Sequence, residues 1–301
     1  MLSSVIRKKL ARGETILCAK ASYEDYEVVE LMGTFGFDGM WICLEHRRSD
    51  PTVVQGLLHA CRLGGMDAIV RVKPANYTDI IWLLEAGARG IMLPKVTRPE
   101  EVRECLAAMK FPPLGQRGFD GVHADANFGR TPAIEYLTRA NDENLLVVQI
   151  EEPEVVPHID AIAAMPGVDV LFVGPGDLTL SLGKLGQSDD PEVMAILRQV
   201  ADACRKHGKA AGIPCQPSDI PKYRELGYTF FNVTSGYRCM LNGLLKTEAD
   251  LRTYGQPLTP RRSNGAEIST GTPPAVNGKG AAHAAASSTG AAVVQQRAVG
   301  Y

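Results

Sequence analysis

The sequence contains no C-x-x-C pair. Its seven cysteines, at positions 18, 43, 61, 105, 204, 215 and 239, are scattered and odd in number. That argues against a zinc cage or a disulfide framework, and for reduced thiols in a cytoplasm. No apolar run approaches the roughly 20 residues of a membrane span. The first residues, "MLSSVIRKKLARGE", lack the long apolar core of a signal peptide and predict a short amphipathic helix. Net charge is only −2 at pH 7, which gives no electrostatic footprint for nucleic acid or an anionic membrane. No G-x-G-x-x-G follows the first strand-like run, which counts against a dinucleotide site there.

What the sequence has is a regular alternation. Hydrophobic residues make up 45% and charged residues 22% of the 301 residues, ordinary for a globular chain. Short apolar, β-branched runs recur at 16–22, 39–45, 67–72, 90–96, 145–151, 169–175, 209–215 and 228–236. Amphipathic stretches such as "YEDYEVVELMGTFG" and "PEVVPHIDAIAAM" separate most of them. Continuous apolar strands between amphipathic helices indicate a parallel sheet covered by helices. Eight such units in about 240 residues predict an α/β fold of the (β/α)8 TIM-barrel type, with a doubly wound open sheet as the alternative. The segment 110–144 is too long for a simple loop and predicts a helix together with active-site residues. After about residue 257 the composition turns to Ala, Gly, Ser, Thr and Pro. Residues 1–257 are therefore expected to form the barrel domain, and 258–301 a low-complexity, disordered tail.

In a barrel the ligand sits at the C-terminal ends of the strands. There the sequence places Glu45-His46, Arg71, Gln149 with Glu151, and Gly174-Pro175-Gly176-Asp177. Glu151 and Asp177 end adjacent strands, which lie about 4.8 Å apart. Two carboxylates so placed can share a cation, and an all-oxygen set suits Mg2+ or Mn2+. The alternative is that Glu151 pairs with a lysine or arginine while Asp177 caps a helix. Arg71 suits a carboxylate or an enolate oxygen, or else a rim salt bridge. His46 has the ordinary pKa of a general base; a lone histidine with no such role is the equal alternative.

These stretches, read together, resemble the HpcH/HpaI aldolases, metal-dependent class II pyruvate aldolases of the phosphoenolpyruvate/pyruvate barrel superfamily. The matching segments are "WICLEH" (41–46), "IVRV" (69–72), "LLEAGARGIMLPKV" (83–96), "RGFDGVHADANFGR" (117–130), "QIE" (149–151) and "FVGPGDLTLSLG" (172–183). They occur in the family's order over roughly residues 5–255. The resemblance implies reversible cleavage of a 4-hydroxy-2-keto-acid into pyruvate and an aldehyde. It implies Glu151 and Asp177 as metal ligands for Mg2+ or Mn2+, with Co2+ or Zn2+ as further candidates. It also implies Gln149 beside the metal, backbone N–H groups of Gly174-Pro175-Gly176 on the substrate carboxylate, and Arg71 on the enolate oxygen. His46 would move the proton of the 4-hydroxyl. Family members form hexamers, often exchanging the last barrel helix, here the segment 237–257, so a homo-oligomer is expected.

Two positions depart from the family pattern. Cys43 stands where many members carry an aspartate two residues before the Glu-His pair. Glu85 stands where the family has an acid that reaches the histidine of a neighbouring subunit, so it is counted with the catalytic residues. Asp125 stands where the acid-semialdehyde members have an arginine facing the aldehyde. An aspartate there argues against a carboxylate-bearing aldehyde and leaves hydroxylated or small neutral ones. Two other readings stay open. One is a lyase acting on a CoA thioester such as malyl-CoA or citramalyl-CoA, although no basic cluster for the CoA moiety is visible. The other is a keto-acid-binding or assembly subunit without full activity.

Overall fold

The computed structural model describes residues 3–72 and 76–259. Eight parallel strands close into a barrel in chain order, β1 to β8. They are Ile16–Lys20, Gly39–Cys43, Asp67–Arg71, Gly90–Leu93, Leu145–Ile150, Val168–Val173, Ala210–Pro214 and Tyr228–Ser235. The alternation read from the sequence is thus a closed barrel and not an open sheet. Eleven α-helices are described, α1 to α11. The first five are Val5–Ala11, Tyr26–Thr34, Pro51–Leu63, Tyr77–Ala86 and Pro99–Met109. The rest are Ala133–Glu143, Ile159–Ala163, Pro175–Ser181, Pro191–His207, Ile220–Leu226 and Gly236–Thr253. The segment 110–144 holds α6 and a short 3-10 turn at Asn127–Gly129. Two compact units divide the chain, one ending at Cys239 and one beginning at Met240. The tail expected at 258–301 lies outside the described residues beyond 259.

Successive side chains on a strand point to opposite faces, and the packing follows that period. Met40 and Ile42 of β2 join the layer between strands and helices. Trp41 points inward with Cys18, Ile69, Met92, Val147, Phe172 and Phe230. Phe172 packs edge-on against Trp41 and Phe230, with ring centroids 5.8 and 6.0 Å apart. Gly212 makes room for it: a Cβ there would stand 2.6 Å from the Phe172 ring.

The N-terminal mouth of the barrel is stoppered by α1. Ser4 caps that helix by accepting from the Arg7 amide. Ile6 is fully buried and belongs to the inner core. Asp67, at the start of β3, accepts from Ser4 Oγ at 2.6 Å and from the Ile6 amide at 2.8 Å. Arg7 pairs with Asp169 of β6 at 2.5 Å. Helix capping repeats around the ring, with Asp50 and Asn76 accepting from the second helical amide of α3 and α4. The apolar interior is therefore shut at one end, and the polar strand ends are gathered at the other.

Candidate active site

At the C-terminal mouth the inward positions change from apolar to polar within one step of the same alternation. Cys43 follows Trp41, Arg71 follows Ile69, and Gln149 follows Val147. Cys43 and Arg71 are register partners. Arg71 is 2% exposed. Its guanidinium carbon lies 4.6 Å from the Trp41 ring centroid. Nη2 donates to Cys43 Sγ at 3.0 Å, and Nη1 to Gln149 Oε1 at 3.4 Å. Nε stands 3.1 Å from Glu45 Oε2, an ion pair by distance. Neither of those two atoms has an aligned hydrogen-bond partner among the described residues, so the contact is one of charge. Burial pushes the Cys43 thiol up, but the adjacent Arg71, the His46 amide and the Lys20 ammonium outweigh it and hold it below its usual range. The missing aspartate is thus replaced by a polarised sulfur.

Gln149 donates in turn to Glu151 Oε2 at 2.8 Å. The other oxygen of Glu151 accepts from the Lys95 amide at 2.8 Å. Glu151 is 1% exposed. Burial lifts its carboxyl to about 7, and Asp177 and Glu45 push the same way against Lys95. The close approach depends on Gly174, the residue before α8. A Cβ there would stand 2.5 Å from Glu151 Oε2 and 3.4 Å from Gln149 Nε2. Proline follows at the first position of α8, and Asp177 sits in that helix's first turn without capping it.

Asp177 meets Lys95 instead, with Nζ to Oδ1 at 3.2 Å, and the same ammonium reaches Glu152 at 2.8 Å. Lys95 follows β4 with a φ of 54°, a left-handed conformation that costs a non-glycine residue on the order of 1–2 kcal/mol. It is held there because its amide and its ammonium each serve one of the two acids. Sequence reasoning missed Lys95; the visible signal was a lysine directly after a strand on the polar rim. His46 is exposed at the same mouth, its Nε2 3.7 Å from Glu45 and its amide donating to Cys43 Sγ at 3.5 Å. Among the described residues, no cluster of three or more His, Cys, Asp or Glu is arranged as a metal cage.

The HpcH/HpaI aldolase/citrate lyase family model matches residues 23–239, which includes Cys43, His46, Arg71, Lys95, Gln149, Glu151 and Asp177. The chain belongs to this family. A 2-dehydro-3,6-dideoxy-6-sulfogluconate aldolase of Pseudomonas putida is 32% identical over 78% of this chain and 90% of its own length. A hydroxypyruvate/pyruvate aldolase of Chromohalobacter salexigens is 35% identical over 73% of this chain and 87% of its own. A crystal structure of an HpcH/HpaI aldolase/citrate lyase family protein from Burkholderia cenocepacia superposes with a TM-score of 0.77. It is 30% identical and covers 83% of this chain and 100% of that one. Aldolases are carbon–carbon lyases, and this member of the family is one as well.

Arg71, Gln149, Glu151, Asp177, Gly174, Pro175, Gly176 and His46 thus share the C-terminal mouth. Glu85 and Asp125 do not join them within one chain. Glu85 ends α4, which runs back toward the N-terminal rim. Asp125 pairs with Arg89, just before β4, at 2.5 Å and is 4% exposed. Arg117 links the two acids, standing 3.9 Å from Glu85 and 3.3 Å from the Tyr136 hydroxyl, which donates to Asp125 at 3.4 Å. Burial lifts the Glu85 carboxyl above its usual range, against the pull of Arg117. Within the chain these two residues form a separate, charge-balanced network.

Proposed function

We propose that the chain reversibly cleaves a 4-hydroxy-2-keto-acid into pyruvate and an aldehyde through the pyruvate enolate. The observation that carries this reading is the convergence of buried Glu151 and half-buried Asp177 at one barrel mouth with Arg71 locked beside them. Glu151 and Asp177 would hold a divalent cation. The residues present fit one: two carboxylates repel across a glycine-made gap, and the cation that meets them, Lys95, already marks where positive charge is favoured. A hard ion such as Mg2+ or Mn2+ matches this oxygen set and supplies Lewis-acid polarisation of the C2 carbonyl.

The chain's own residues do the rest. Arg71, fixed by the Trp41 ring, Glu45, Cys43 and Gln149, presents a preorganised positive charge to the C2 oxygen as the enolate forms. The Gly174–Gly176 turn lets the backbone approach the substrate carboxylate. His46, at the open mouth, accepts the 4-hydroxyl proton as the C3–C4 electron pair moves to the C2 oxygen. Protonation at C3 then gives pyruvate. The names of the aldolase relatives support this substrate class. Asp125 is buried against Arg89, whereas Glu85 would serve such a site only from a second copy, so its catalytic role goes together with a homo-oligomer. Met240, Leu241, Leu244 and Leu245 recur at helical spacing on α11 and supply an apolar face for it. Seven free thiols agree with a reducing cytoplasm.

The test is proton exchange. Pyruvate with the purified protein and Mn2+ in D2O loses its methyl proton signal if the enolate forms. EDTA and Glu151→Gln abolish the loss. A folded protein that binds Mn2+ and leaves the methyl signal intact refutes the reading.

A further inference from the structure

A lysine closes the inner face of β1 as Cys43, Arg71 and Gln149 close theirs. Ile16 and Cys18 of β1 point inward, so Lys20, the last residue of the strand, continues that face. Trp41 is its register partner on β2. Lys20 Nζ lies 4.7 Å from the centroid of the Trp41 ring, against which the Arg71 guanidinium also rests. The side chain is half-buried, and the steps given to Arg71 and His46 do not use it. Burial lowers its pKa, with Arg71 and Arg47 pushing the same way and Cys43 and Glu45 opposing. Those groups lie on β2, on the loop after it and on β3; Ser235, the β8 partner of Lys20, is uncharged. An ammonium so destabilised gives up its proton more readily than one in water.

We propose that Lys20 is the acid that protonates C3 of the enolate and, in reverse, the base that takes a methyl proton from pyruvate. The inference rests on the aldolase reading, which leaves the donor of that proton unassigned. C2 of the substrate is trigonal. In that reading its carboxylate faces the Gly174–Gly176 turn after β6, and its oxygen faces Arg71 at the end of β3. The strands follow chain order around a closed barrel, so β3 and β6 flank β4 and β5. The third substituent, C3, is therefore directed at the opposite wall, where β1 carries Lys20. Cys43, next to it on β2, accepts from both Arg71 Nη2 and the His46 amide, the setting of a sulfur that has already lost its proton. In the step, the C2–C3 π pair forms the new C3–H bond with a proton from the ammonium. The C2 oxygen regains its carbonyl, and the N–H pair stays on nitrogen as a neutral amine. Water at the mouth returns the proton.

The test follows the methyl signal of pyruvate in D2O with the Mn2+-loaded full chain, as wild type and two variants. Lys20→Arg keeps the charge but holds its protons too tightly to transfer one. Lys20→Ala removes the group. Exchange is expected to fall about 100-fold or more in both, while Mn2+ affinity by calorimetry stays at the wild-type value. Methylamine added to Lys20→Ala is expected to restore exchange in proportion to its free-amine concentration, which the loss of a packing contact would not allow. Wild-type exchange in either variant overturns the proposal, and so does a Lys20→Ala chain that binds Mn2+ and is not rescued by the amine. Borohydride reduction that joins pyruvate to Lys20 would reveal an imine and overturn it too. If the wild type itself does not exchange, the aldolase reading falls and takes this proposal with it; if wild type and variants exchange alike, only the role of Lys20 falls.

Discussion

Glu151→Gln isolates the electrostatics of the two carboxylates. The Glu151 carboxyl rises from its ordinary 4.5 to about 7 in the folded chain. The folded state therefore holds its proton more tightly than the unfolded state does. Stability from this group is complete below pH 4.5 and is lost as the pH rises through 7. At about 1.4 kcal/mol per pH unit, the loss is about 1.4 kcal/mol at pH 5.5 and about 3 kcal/mol at pH 8. Glutamine carries no charge and escapes the penalty, but its amide confronts Gln149 Nε2, a donor 2.8 Å away. That forfeits about 1 kcal/mol at every pH. Urea unfolding in EDTA should show the variant gaining on the wild type by about 2 kcal/mol between pH 5.5 and 8. Mn2+ should reverse the order at pH 8, because only the wild type presents both carboxylates. Below pH 7 the ion must displace a proton, so Mn2+ affinity should fall up to about tenfold per pH unit. A stability difference that stays flat with pH, or an Mn2+ affinity that ignores pH between 5.5 and 7, would refute the account of Glu151.

Three further outcomes follow from the geometry. Gly174→Ala should leave the fold intact at a cost of about 1–3 kcal/mol, yet displace Glu151 and slow pyruvate exchange by about 100-fold; retention of full exchange would show that the gap beside Glu151 is dispensable. Arg71→Met should slow exchange by about 100- to 1,000-fold while Mn2+ affinity, measured by calorimetry, holds. Asp125→Ala leaves Arg89 buried without its counter-ion, so chemical denaturation should report a loss of about 3–5 kcal/mol; a loss under 1 kcal/mol would mean the pair is not buried in solution.

The barrel was legible because strands buried on both faces read as unbroken apolar runs, and all eight fall where those runs lie. Their ends were less so: the run at 90–96 yields a strand only to Leu93, since Pro94 has no N–H for the ladder. The polar rim was legible for Arg71, Gln149, Glu151 and Asp177, whose positions follow from strand ends alone. Lys95 was not, because a left-handed lysine has no mark in sequence, and its amide bond to Glu151 is a tertiary event. Glu85 carried a usable signal that spacing concealed, whereas the placement of Asp125 against Arg89 is a tertiary event. A helix after a parallel strand runs backward, so an acid near its end sits at the opposite rim from the strand ends. The hold of Cys43 on Arg71 needed the β2–β3 register, which no local pattern specifies.

The indole beneath Arg71 also gives the protein an optical voice. The chain has two tryptophans, and Trp41 is flanked by cations, with Lys20 Nζ 4.7 Å and the Arg71 guanidinium 4.6 Å from its ring. Its emission therefore senses the field at the carbon-bond-breaking end of the barrel. Any anion that draws Arg71 upward changes the charge above the ring, and Trp82, outside the barrel on α4, serves as the internal reference. Occupancy of the site can be followed in real time by intrinsic fluorescence, with no label and no turnover.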